Sequence, residues 1–316
     1  MDLRKTPSLY FELKFGSPPA PKFEKFDPTI GVDGYCAAIR KYLIPDSMPD
    51  TFSSGVLPLE LRTYCKGSIF SRVRRVRDEK LRTLLKNPLT VSDFFPPEGE
   101  VAQTRIGRFN AAGERTLYLA DHAFVALKEC GIEPGEHFLY SYFILKTDTH
   151  FIYTPPNTSK YTKLINSLLK SKDENFYPVI TRIYNEYLKY DAHHGIAYDS
   201  VRVMEKHNDA TWGEISSITN LAMDEEKLPA AYLQVGWLAR CDEHYRPYHL
   251  KILLPNIKKK KRLTTLVYHD NKSRFMAEHN KVEQRIAQLR KITKNSIKRN
   301  NYEQPNTTPF KLLPYI

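Results

Sequence analysis

The residues with the clearest chemical potential lie in and just after the stretch GRFNAAGERTLYLA, from Gly107 to Ala120. Arg108 has a planar guanidinium suited to bidentate contacts with phosphate or carboxylate groups. Tyr118 has a ring that can stack on a flat heterocycle and a hydroxyl that can donate a hydrogen bond. Glu129 follows in the same segment, and a carboxylate can stabilise a developing positive charge. These three side chains together indicate a site that processes a nucleotide.

Each of these residues also has an ordinary structural interpretation. Arg108 could form a surface salt bridge, and a tyrosine in a strand is more often part of the core. Glu129 is expected in the last turn of a helix, where its carboxylate opposes the negative end of the helix dipole at a cost of roughly a few tenths of a kcal/mol. Exposed helix ends often tolerate such residues, so the spacing alone favours a structural role for Glu129.

The elements around these residues can be predicted from their patterns. In RTLYLA, Thr116, Tyr118 and Ala120 share one side of a predicted strand, because successive strand residues alternate. Leu117 and Leu119 then face the other side, where they can pack. Tyr118 is therefore expected to lie away from the packing leucines.

A short helix is predicted over residues 122–130, directly after this strand. Asp121 is a good N-cap residue, and Gly131 is a typical C-terminal stop. Phenylalanine, valine, leucine and alanine side chains between these two residues supply an apolar face. This helix would place Glu129 at its C-terminal end.

Two more candidate residues are expected on strands. Ile69–Val76 is rich in β-branched and aromatic residues, which predicts a strand with Arg72 on one face. In HHGIAYDSVRV, a turn at His194 and Gly195 is expected to lead into a second strand. One face of that strand would carry Ile196, Tyr198, Ser200 and Arg202.

The remaining sequence predicts helices and strands that cover and extend this unit. Apolar residues at helical spacing between Tyr161 and Leu169 predict one helix, and a second is expected from about Pro178 to Tyr190. After Lys227, LPAAYLQVGWLARC and YHLKILLP are typical of strands.

Basic residues dominate the predicted C-terminal elements. NIKKKKR is expected to be a loop, and Val282, Ile286 and Leu289 mark a long basic helix that ends near Arg299. PNTTPFKLLPYI is expected to be a tail, and PPEGE, at residues 96–100, a loop. A basic loop without interleaved aromatic residues is a weak signal for nucleic acid, so nucleic-acid binding is not the favoured function.

The amino-acid composition is typical of a globular protein rather than of a disordered chain. The 316 residues are 41% hydrophobic and 27% charged, and the formal net charge is +12. Such a charge suits a polyanion or an anionic small substrate and does not distinguish between them. Apolar stretches are too short to cross a bilayer, and the N-terminal residues lack the features of a secretory signal, so we expect a cytoplasmic protein.

Several common kinds of site are not supported. The four cysteines lack a CxxC pair and are expected to be reduced thiols, and His193 and His194 are adjacent and therefore unsuited to hold one metal. Ser200 has no GxSxG context, and the chain contains no GxGxxG or Walker motif. We expect no metal and no resident cofactor.

Four segments taken together resemble the RES domain family, named after its Arg, Glu and Ser residues. They are IFSRVRRV, FFPPEG, GRFNAAGERTLYLADHAFVALKEC and YPVITRIYNEYLKYDAHHGIAYDSV. The resemblance covers roughly residues 65–223. It implies an α+β fold like that of ADP-ribosylating toxins, with a split, mostly antiparallel sheet and flanking helices around an NAD cleft.

The resemblance also implies an activity and a set of site residues. The family destroys NAD by cleaving the bond between nicotinamide and ribose, with phosphate or water as the acceptor. Carried over by position, its functional residues fall on Arg72, Arg108, Tyr118, Glu129 and Ser200. Glu129, Arg108 and Arg72 would then be catalytic, while Tyr118 and Ser200 would bind the substrate.

The family resemblance has consequences for partners and for organisation. A growth-inhibiting toxin is expected, neutralised by a cognate antitoxin or immunity protein, and the chain could also self-associate. Residues 1–60 would be an accessory segment, 61–225 the RES-like catalytic domain and 226–316 a C-terminal extension. Two other functions stay open: ADP-ribosyl transfer onto a macromolecule, and a non-enzymatic basic module that binds nucleic acid.

Overall fold

A computed structural model of the chain describes residues 19–43, 56–97, 106–156, 159–256, 262–293 and 297–305. Within these ranges the chain folds into helices and one large sheet. The helices are α1 (Gly31–Leu43), α2 (Asp78–Lys86), α3 (Ala123–Glu129), α4 (Lys160–Leu169), α5 (Tyr177–Ile183) and α6 (Lys272–Thr293). The strands are β1 (Val56–Tyr64), β2 (Ile69–Val76), β3 (Leu117–Ala120), β4 (His137–Leu145), β5 (Thr149–Tyr153), β6 (Gly195–Asp199), β7 (Asn208–Asp209), β8 (Gly213–Glu214), β9 (Thr219–Met223), β10 (Ala231–Cys241), β11 (Pro247–Pro255), β12 (Leu263–Val267) and β13 (Ile297–Pro305).

The large sheet contains eleven of the described strands in the order β12-β11-β10-β4-β2-β3-β9-β6-β5-β1-β13. Neighbouring strands are antiparallel except for β5 and β6, which are parallel. Strands β7 and β8 form a separate small hairpin. The predicted α+β class with a mostly antiparallel sheet is confirmed.

The sheet is nearly divided between β2 and β3. These two strands share one residue pair, Ser71 opposite Ala120, whereas β2 pairs with β4 from Ile69 to Val76. The Ser71 hydroxyl reinforces that pair by donating to the Ala120 carbonyl at 2.8 Å. We call this narrow connection the seam, because it joins two well-paired halves of the sheet.

Different sets of helices cover the two halves of the sheet on one face. Helices α1, α4 and α5 pack through an apolar cluster onto the half that contains β5, β6 and β9. Helices α3 and α6 pack onto the other half, over β2, β4, β10 and β11. A third cluster, between α2 and the opposite sheet surface, includes Phe70, Phe94 and Phe143. The seam therefore lies where the coverage changes from one set of helices to the other.

Predicted elements from the central segment are confirmed with small differences in length. Strand β2 coincides with the predicted Ile69–Val76, and α4 matches the predicted apolar helix. The predicted Pro178–Tyr190 helix is α5 followed by one π turn, Tyr184–Leu188. The expected loop at residues 96–100 lies mostly outside the described residues.

The predicted end of the basic helix is wrong. Helix α6 begins at Lys272, where the Asn271 side chain accepts from the Arg274 amide at 2.9 Å, and it ends at Thr293. Residues from Ile297 belong to β13, which pairs with β1 over nine residue pairs. Lysine and arginine favour helices locally, but pairing with a distant strand decides the conformation here. The predicted basic loop lies mainly outside the described residues, as does most of the predicted tail.

The predicted domain boundaries, after residues 60 and 225, do not separate independent sheets, because strands from all three predicted parts belong to one sheet. Strand β1 runs through residue 60, and β10 pairs with β4 from Ala231 to Arg240. Helix α1, the described helix of the predicted accessory segment, buries Tyr35, Cys36 and Ile39 beside α5. The residues called an accessory segment and an extension thus contribute to the same sheet and core as the central part.

Candidate functional site

Glu129 is the last residue of α3, and the end of this helix is closely defined. Gly131 adopts a positive φ of 59°, and its amide donates to the Lys128 carbonyl at 3.0 Å. The Ile132 amide donates to the Leu127 carbonyl at 3.1 Å, which completes a Schellman motif. The predicted stop at Gly131 is confirmed, and Glu129 is held in a fixed orientation.

The start of α3 differs from the prediction by one residue. Asp121 is not the N-cap, because its amide donates to the Thr219 carbonyl at 2.9 Å and keeps the residue at the end of the strand. His122 is the N-cap, and its ring Nδ1 accepts from the Phe124 amide at 3.2 Å. Burial, aided by Arg290, lowers the pKa of His122 to about 4, which keeps that nitrogen free to accept.

Glu129 and Ser200 meet directly. The Ser200 hydroxyl donates to Glu129 Oε1 at 2.5 Å, although the two residues are far apart in sequence. Ser200 does not lie on the predicted strand, since β6 ends at Asp199. Its oxygen also accepts from the amides of Arg202 and Val203, both at 3.1 Å. The Ser200 hydroxyl thus donates one hydrogen bond and accepts two, and these bonds connect the Glu129 carboxylate to the turn at residues 200–203.

Asn220 is a member of the site that the sequence did not reveal. Its side-chain amide lies 3.4 Å from Glu129 Oε1 and donates to it. Asn220 lies on β9 between Ala120 on β3 and Tyr198 on β6, so the sheet register places it beneath the helix end. No local motif surrounds it in the sequence, and only the strand order could have identified it.

Arg72 projects from β2 at the seam. Its Nη1 donates to the Tyr118 carbonyl at 3.3 Å, which connects the two halves of the sheet. Its Nε is buried and has no hydrogen-bond partner among the described residues. Burial, together with nearby Arg74, lowers the pKa of Arg72 to about 10. Arg72 is therefore a desolvated cation with an unused donor and without a carboxylate partner in the described part of the chain.

Cys130 brings the Glu129 end of α3 to the Arg72 strand. The Cys130 thiol donates to the carbonyl of Val73, the residue after Arg72, at 3.1 Å. The guanidinium of Arg75 also donates to the Gly131 carbonyl, so two contacts fasten the helix end to β2. Glu129 and Arg72 are consequently positioned by one rigid unit of helix and strand.

Tyr118 is separated from the packing leucines as predicted. Leu117 and Leu119 are buried in one cluster, while Tyr118 packs against another. Its hydroxyl accepts from the Phe109 amide at 2.9 Å and donates to Asn110 Oδ1 at 2.8 Å. Burial raises the pKa of Tyr118. The hydroxyl holds the turn at residues 107–110, and this leaves the ring rather than the hydroxyl as the part that a ligand could contact.

Arg108 lies in the core behind the other candidates. It is buried, and its two terminal nitrogens donate to the Leu169 and Ser171 carbonyls at 2.8 and 3.2 Å. These carbonyls belong to the C-terminal end of α4, where a cation is favourable. The structure gives Arg108 a clear role in attaching the 107–110 turn to α4.

Tyr198 connects the Arg108 region with Glu129. Its ring packs on Phe109 with the centroids 4.8 Å apart, and the guanidinium of Arg108 lies 5.8 Å from its centroid. Burial raises the pKa of Tyr198 well above 10, and the Glu129 carboxylate adds to that increase. Glu129 is thus held by Ser200 and Asn220, while Arg72 contacts the Tyr118 backbone at the seam. Arg108 lies one layer deeper.

No protein-family model, curated protein or solved structure matches this chain. The resemblance to the RES domain family therefore depends on the residues quoted above.

Searches of the described residues for two other kinds of feature were negative. None of the helices in this part of the chain is long and apolar enough to cross a membrane. No group of three or more His, Cys, Asp or Glu side chains in it is arranged to hold a metal ion. The described candidate residues include one carboxylate with its donors and, at the seam, one partly buried arginine. An arginine can bind an anion, and a carboxylate can stabilise positive charge.

Proposed function

We propose that this chain cleaves the bond between nicotinamide and ribose in NAD. The observation that carries the proposal is the state of Arg72, a desolvated guanidinium at the seam with an unused Nε. A partly buried cation with a buried, unused donor is costly and is characteristic of sites that bind an anion. NAD supplies such an anion in its pyrophosphate, and free phosphate supplies one as a co-substrate.

Glu129 is the proposed catalytic residue. When the glycosidic bond breaks, its electron pair passes to the nicotinamide nitrogen, and the ribose develops oxocarbenium character. A fixed carboxylate against that ribose stabilises the positive charge and orients the hydroxyl groups. Water or phosphate then bonds to the ribose carbon, and a proton is lost when water is the acceptor.

Ser200 and Asn220 are proposed to hold Glu129 in place. Both donate to the same carboxylate oxygen, Oε1, at 2.5 and 3.4 Å. Neither of these donors uses Glu129 Oε2, and we propose that this oxygen contacts the ribose hydroxyls. Because the Ser200 hydroxyl already makes three contacts, we propose a positioning role for it rather than direct substrate binding.

The proposal includes a fold of the ADP-ribosyltransferase-like type. A split sheet of that type needs two well-paired halves with an opening between them, and the single Ser71–Ala120 pair supports such an arrangement. Arg72, Tyr118 and the helix that ends in Glu129 all adjoin this pair. NAD would lie along the seam, with its phosphates toward Arg72 and its nicotinamide ribose toward Glu129.

Release of nicotinamide by the purified protein tests the proposal. We expect the wild-type chain to release nicotinamide from NAD and Glu129→Gln to be slower by at least roughly 100-fold, because the amide cannot stabilise the oxocarbenium charge. Glu79→Gln is the matched control, since Glu79 is an exposed carboxylate in the first turn of α2. Equal turnover by the wild type and Glu129→Gln would contradict the assignment.

Product analysis with and without phosphate identifies the acceptor. A phosphate-dependent ADP-ribose 1''-phosphate would identify an NAD phosphorylase, and free ADP-ribose would identify a glycohydrolase. Adenine-labelled product attached to a macromolecule would instead indicate ADP-ribosyl transfer. We further propose that NAD loss makes the protein a growth-inhibiting toxin, and that an antitoxin or immunity protein blocks the seam.

A further inference from the structure

A second candidate binding site lies under α6, outside the proposed NAD site. It is a cavity of about 360 Å³, a volume at the lower end of the range for small-molecule sites. Its walls come from the β4, β10 and β11 side of the sheet, from α6 and from the loop of the β7–β8 hairpin. The lining residues are Tyr140, Tyr142, Thr211, Trp212, Arg246, Pro247, His249, His279 and Glu283.

Stacked aromatic rings form the floor of this cavity. Trp237 lies beneath Tyr140 and His249, with centroid distances of 5.3 and 5.2 Å and interplanar angles of 24° and 27°. The planes of Tyr140 and His249 differ by 6°. These rings lie on neighbouring strands, so the sheet holds Tyr140 and His249 with nearly parallel planes, an arrangement suited to stacking with a planar ligand.

Trp212, in the loop of the β7–β8 hairpin, forms one wall of the cavity and is held by a hydrogen bond. The Trp212 Nε1 donates to the Tyr245 carbonyl at 3.1 Å, which attaches the hairpin loop to the β10–β11 turn. Across the cavity, His279 and Glu283 lie one helical turn apart on α6 and face the sheet. The cavity therefore has an aromatic floor and defined sides.

Three ring nitrogens at this site have no hydrogen-bond partner among the described residues, namely Trp237 Nε1 in the floor and one nitrogen in each of two histidines that line the cavity. His249 Nε2 and His279 Nδ1 are buried and make no hydrogen bond among the described residues. A buried polar atom without a partner costs about 1 to 3 kcal/mol, so such atoms usually indicate a ligand or ordered water. The two histidine rings lie 4.7 Å apart, so their unpartnered nitrogens belong to the same part of the cavity wall.

Charge at the cavity favours an uncharged ligand. Burial lowers the pKa of His249 to about 3, and burial also lowers the pKa of His279. Both rings are neutral near neutral pH and can each donate or accept. Arg246 and Glu283 contribute opposite charges to the lining, so neither sign predominates.

We propose that this cavity binds an uncharged planar nitrogen heterocycle, which stacks in the aromatic array and bonds to His249 Nε2 and His279 Nδ1. A purine base or a pyridine carboxamide has the required shape and the required donors and acceptors on its edge. Such a ring could arrive as a free base or as part of a dinucleotide.

Both tryptophans of the chain report on this cavity, because Trp212 lines it and Trp237 lies under its floor. We expect adenine or nicotinamide to change the tryptophan fluorescence of the full chain saturably. Benzyl alcohol, an aromatic ring without ring nitrogens, should bind at least about tenfold more weakly, since it leaves a histidine nitrogen unpaired. NAD titrated into the Glu129→Gln variant, which is expected to cleave it much more slowly, distinguishes a free base from the base of a dinucleotide.

Variants assign the signal to the cavity. His249→Leu and His279→Leu should each weaken heterocycle binding about tenfold, while His269→Leu, at an exposed turn residue, should not. Two histidine variants are used because one of them could fail to fold, which circular dichroism would detect. Glu129→Gln should leave heterocycle binding unchanged. The proposal is overturned if no heterocycle gives a saturable change, if the change is lost in Glu129→Gln, or if folded His249→Leu and His279→Leu both bind the heterocycle as tightly as the wild type.

Discussion

Arg72 and Arg108 are both candidate anion-binding residues in the sequence, but they differ in how their hydrogen-bond donors are used in the folded chain. Arg108 is buried with its terminal nitrogens on two carbonyls at the end of α4. Arg72 is desolvated with one contact, to the Tyr118 carbonyl, and an unused Nε. A satisfied buried cation stabilises the fold, whereas an unsatisfied one is a cost that binding function can explain.

Substituting each arginine with methionine should separate these two roles. Arg108→Met should lower the free energy of unfolding by roughly 2 to 3 kcal/mol, because charge-assisted hydrogen bonds to α4 are lost. Arg72→Met should leave that free energy equal or higher, while weakening NAD turnover. Denaturant unfolding of both variants measures the contrast, and a larger loss of stability in Arg72→Met than in Arg108→Met would contradict it.

Asp224 gives a pH-dependent prediction at the same scale. Both of its carboxylate oxygens lie 2.9 Å from the Tyr184 hydroxyl, and burial raises its pKa to about 6 against the opposing effect of Lys189. The folded chain therefore binds more protons than the unfolded chain between about pH 4 and pH 6. The stabilisation that this proton binding contributes to the folded chain is fully present below the pKa that Asp224 has in the unfolded chain. It is lost as the pH rises through about 6.

Asp224→Asn should remove this dependence. The difference in unfolding free energy, wild type minus variant, should fall by roughly 2 to 3 kcal/mol as the pH rises from about 4 to about 7. Unfolding in urea across that pH range measures the difference. Because both proteins contain the same other titrating groups, the contributions of those groups to the unfolding free energy cancel. A difference that is constant with pH would show that the Asp224 carboxyl has an ordinary pKa.

At the scale of elements, the sequence predicts well what local patterns determine. Strand β2, the alternation in β3 and the stop at Gly131 follow from residue types over a few positions. The wrong N-cap arose because Asp121 is held by Thr219, a partner far along the chain. The strand β13 was missed for the same kind of reason, since its conformation depends on β1.

The candidate site shows the same limit. Arg72, Tyr118, Glu129 and Ser200 could be selected through a resemblance carried by local motifs. Asn220 could not, because its place beside Glu129 results from the pairing of β9 with β3 and β6. The buried position of Arg108 likewise depends on where α4 ends. Long-range register, which residue types do not encode locally, decides these features.

Gly131→Ala tests whether the end of α3 controls the site. A left-handed residue with a Cβ costs roughly 1 to 2 kcal/mol, and relief of that strain would rotate Glu129 away from Ser200. Gly213→Ala is the matched control, since Gly213 has a φ of 68° but lies in the β7–β8 hairpin. We expect similar losses of thermal stability in both variants and a loss of NAD turnover in Gly131→Ala. Equal NAD turnover in the two variants would show that the activity of Glu129 does not depend on the Schellman motif.

At the scale of the whole molecule, the C-terminal residues complete both edges of the sheet. Strands β10, β11 and β12 extend one edge from β4, and β13 covers the other edge along β1. Both edges belong to the sheet whose halves meet at the seam. The part of the chain after residue 225 therefore protects strands that would otherwise present unpaired backbone groups.

Removing β13 tests this protective role. A chain that ends at residue 293 exposes β1, VLPLELRTY, as a nine-residue edge whose backbone is available for pairing with another molecule. We expect its Tm to fall by roughly 5 to 10 °C and its size-exclusion profile to shift toward larger species. A chain that ends at residue 305 retains β13 and is the matched control, expected to behave as the full chain. If both truncated chains were equally stable and equally monodisperse, edge protection would not be the role of β13, and its pairing with β1 would contribute little to the fold.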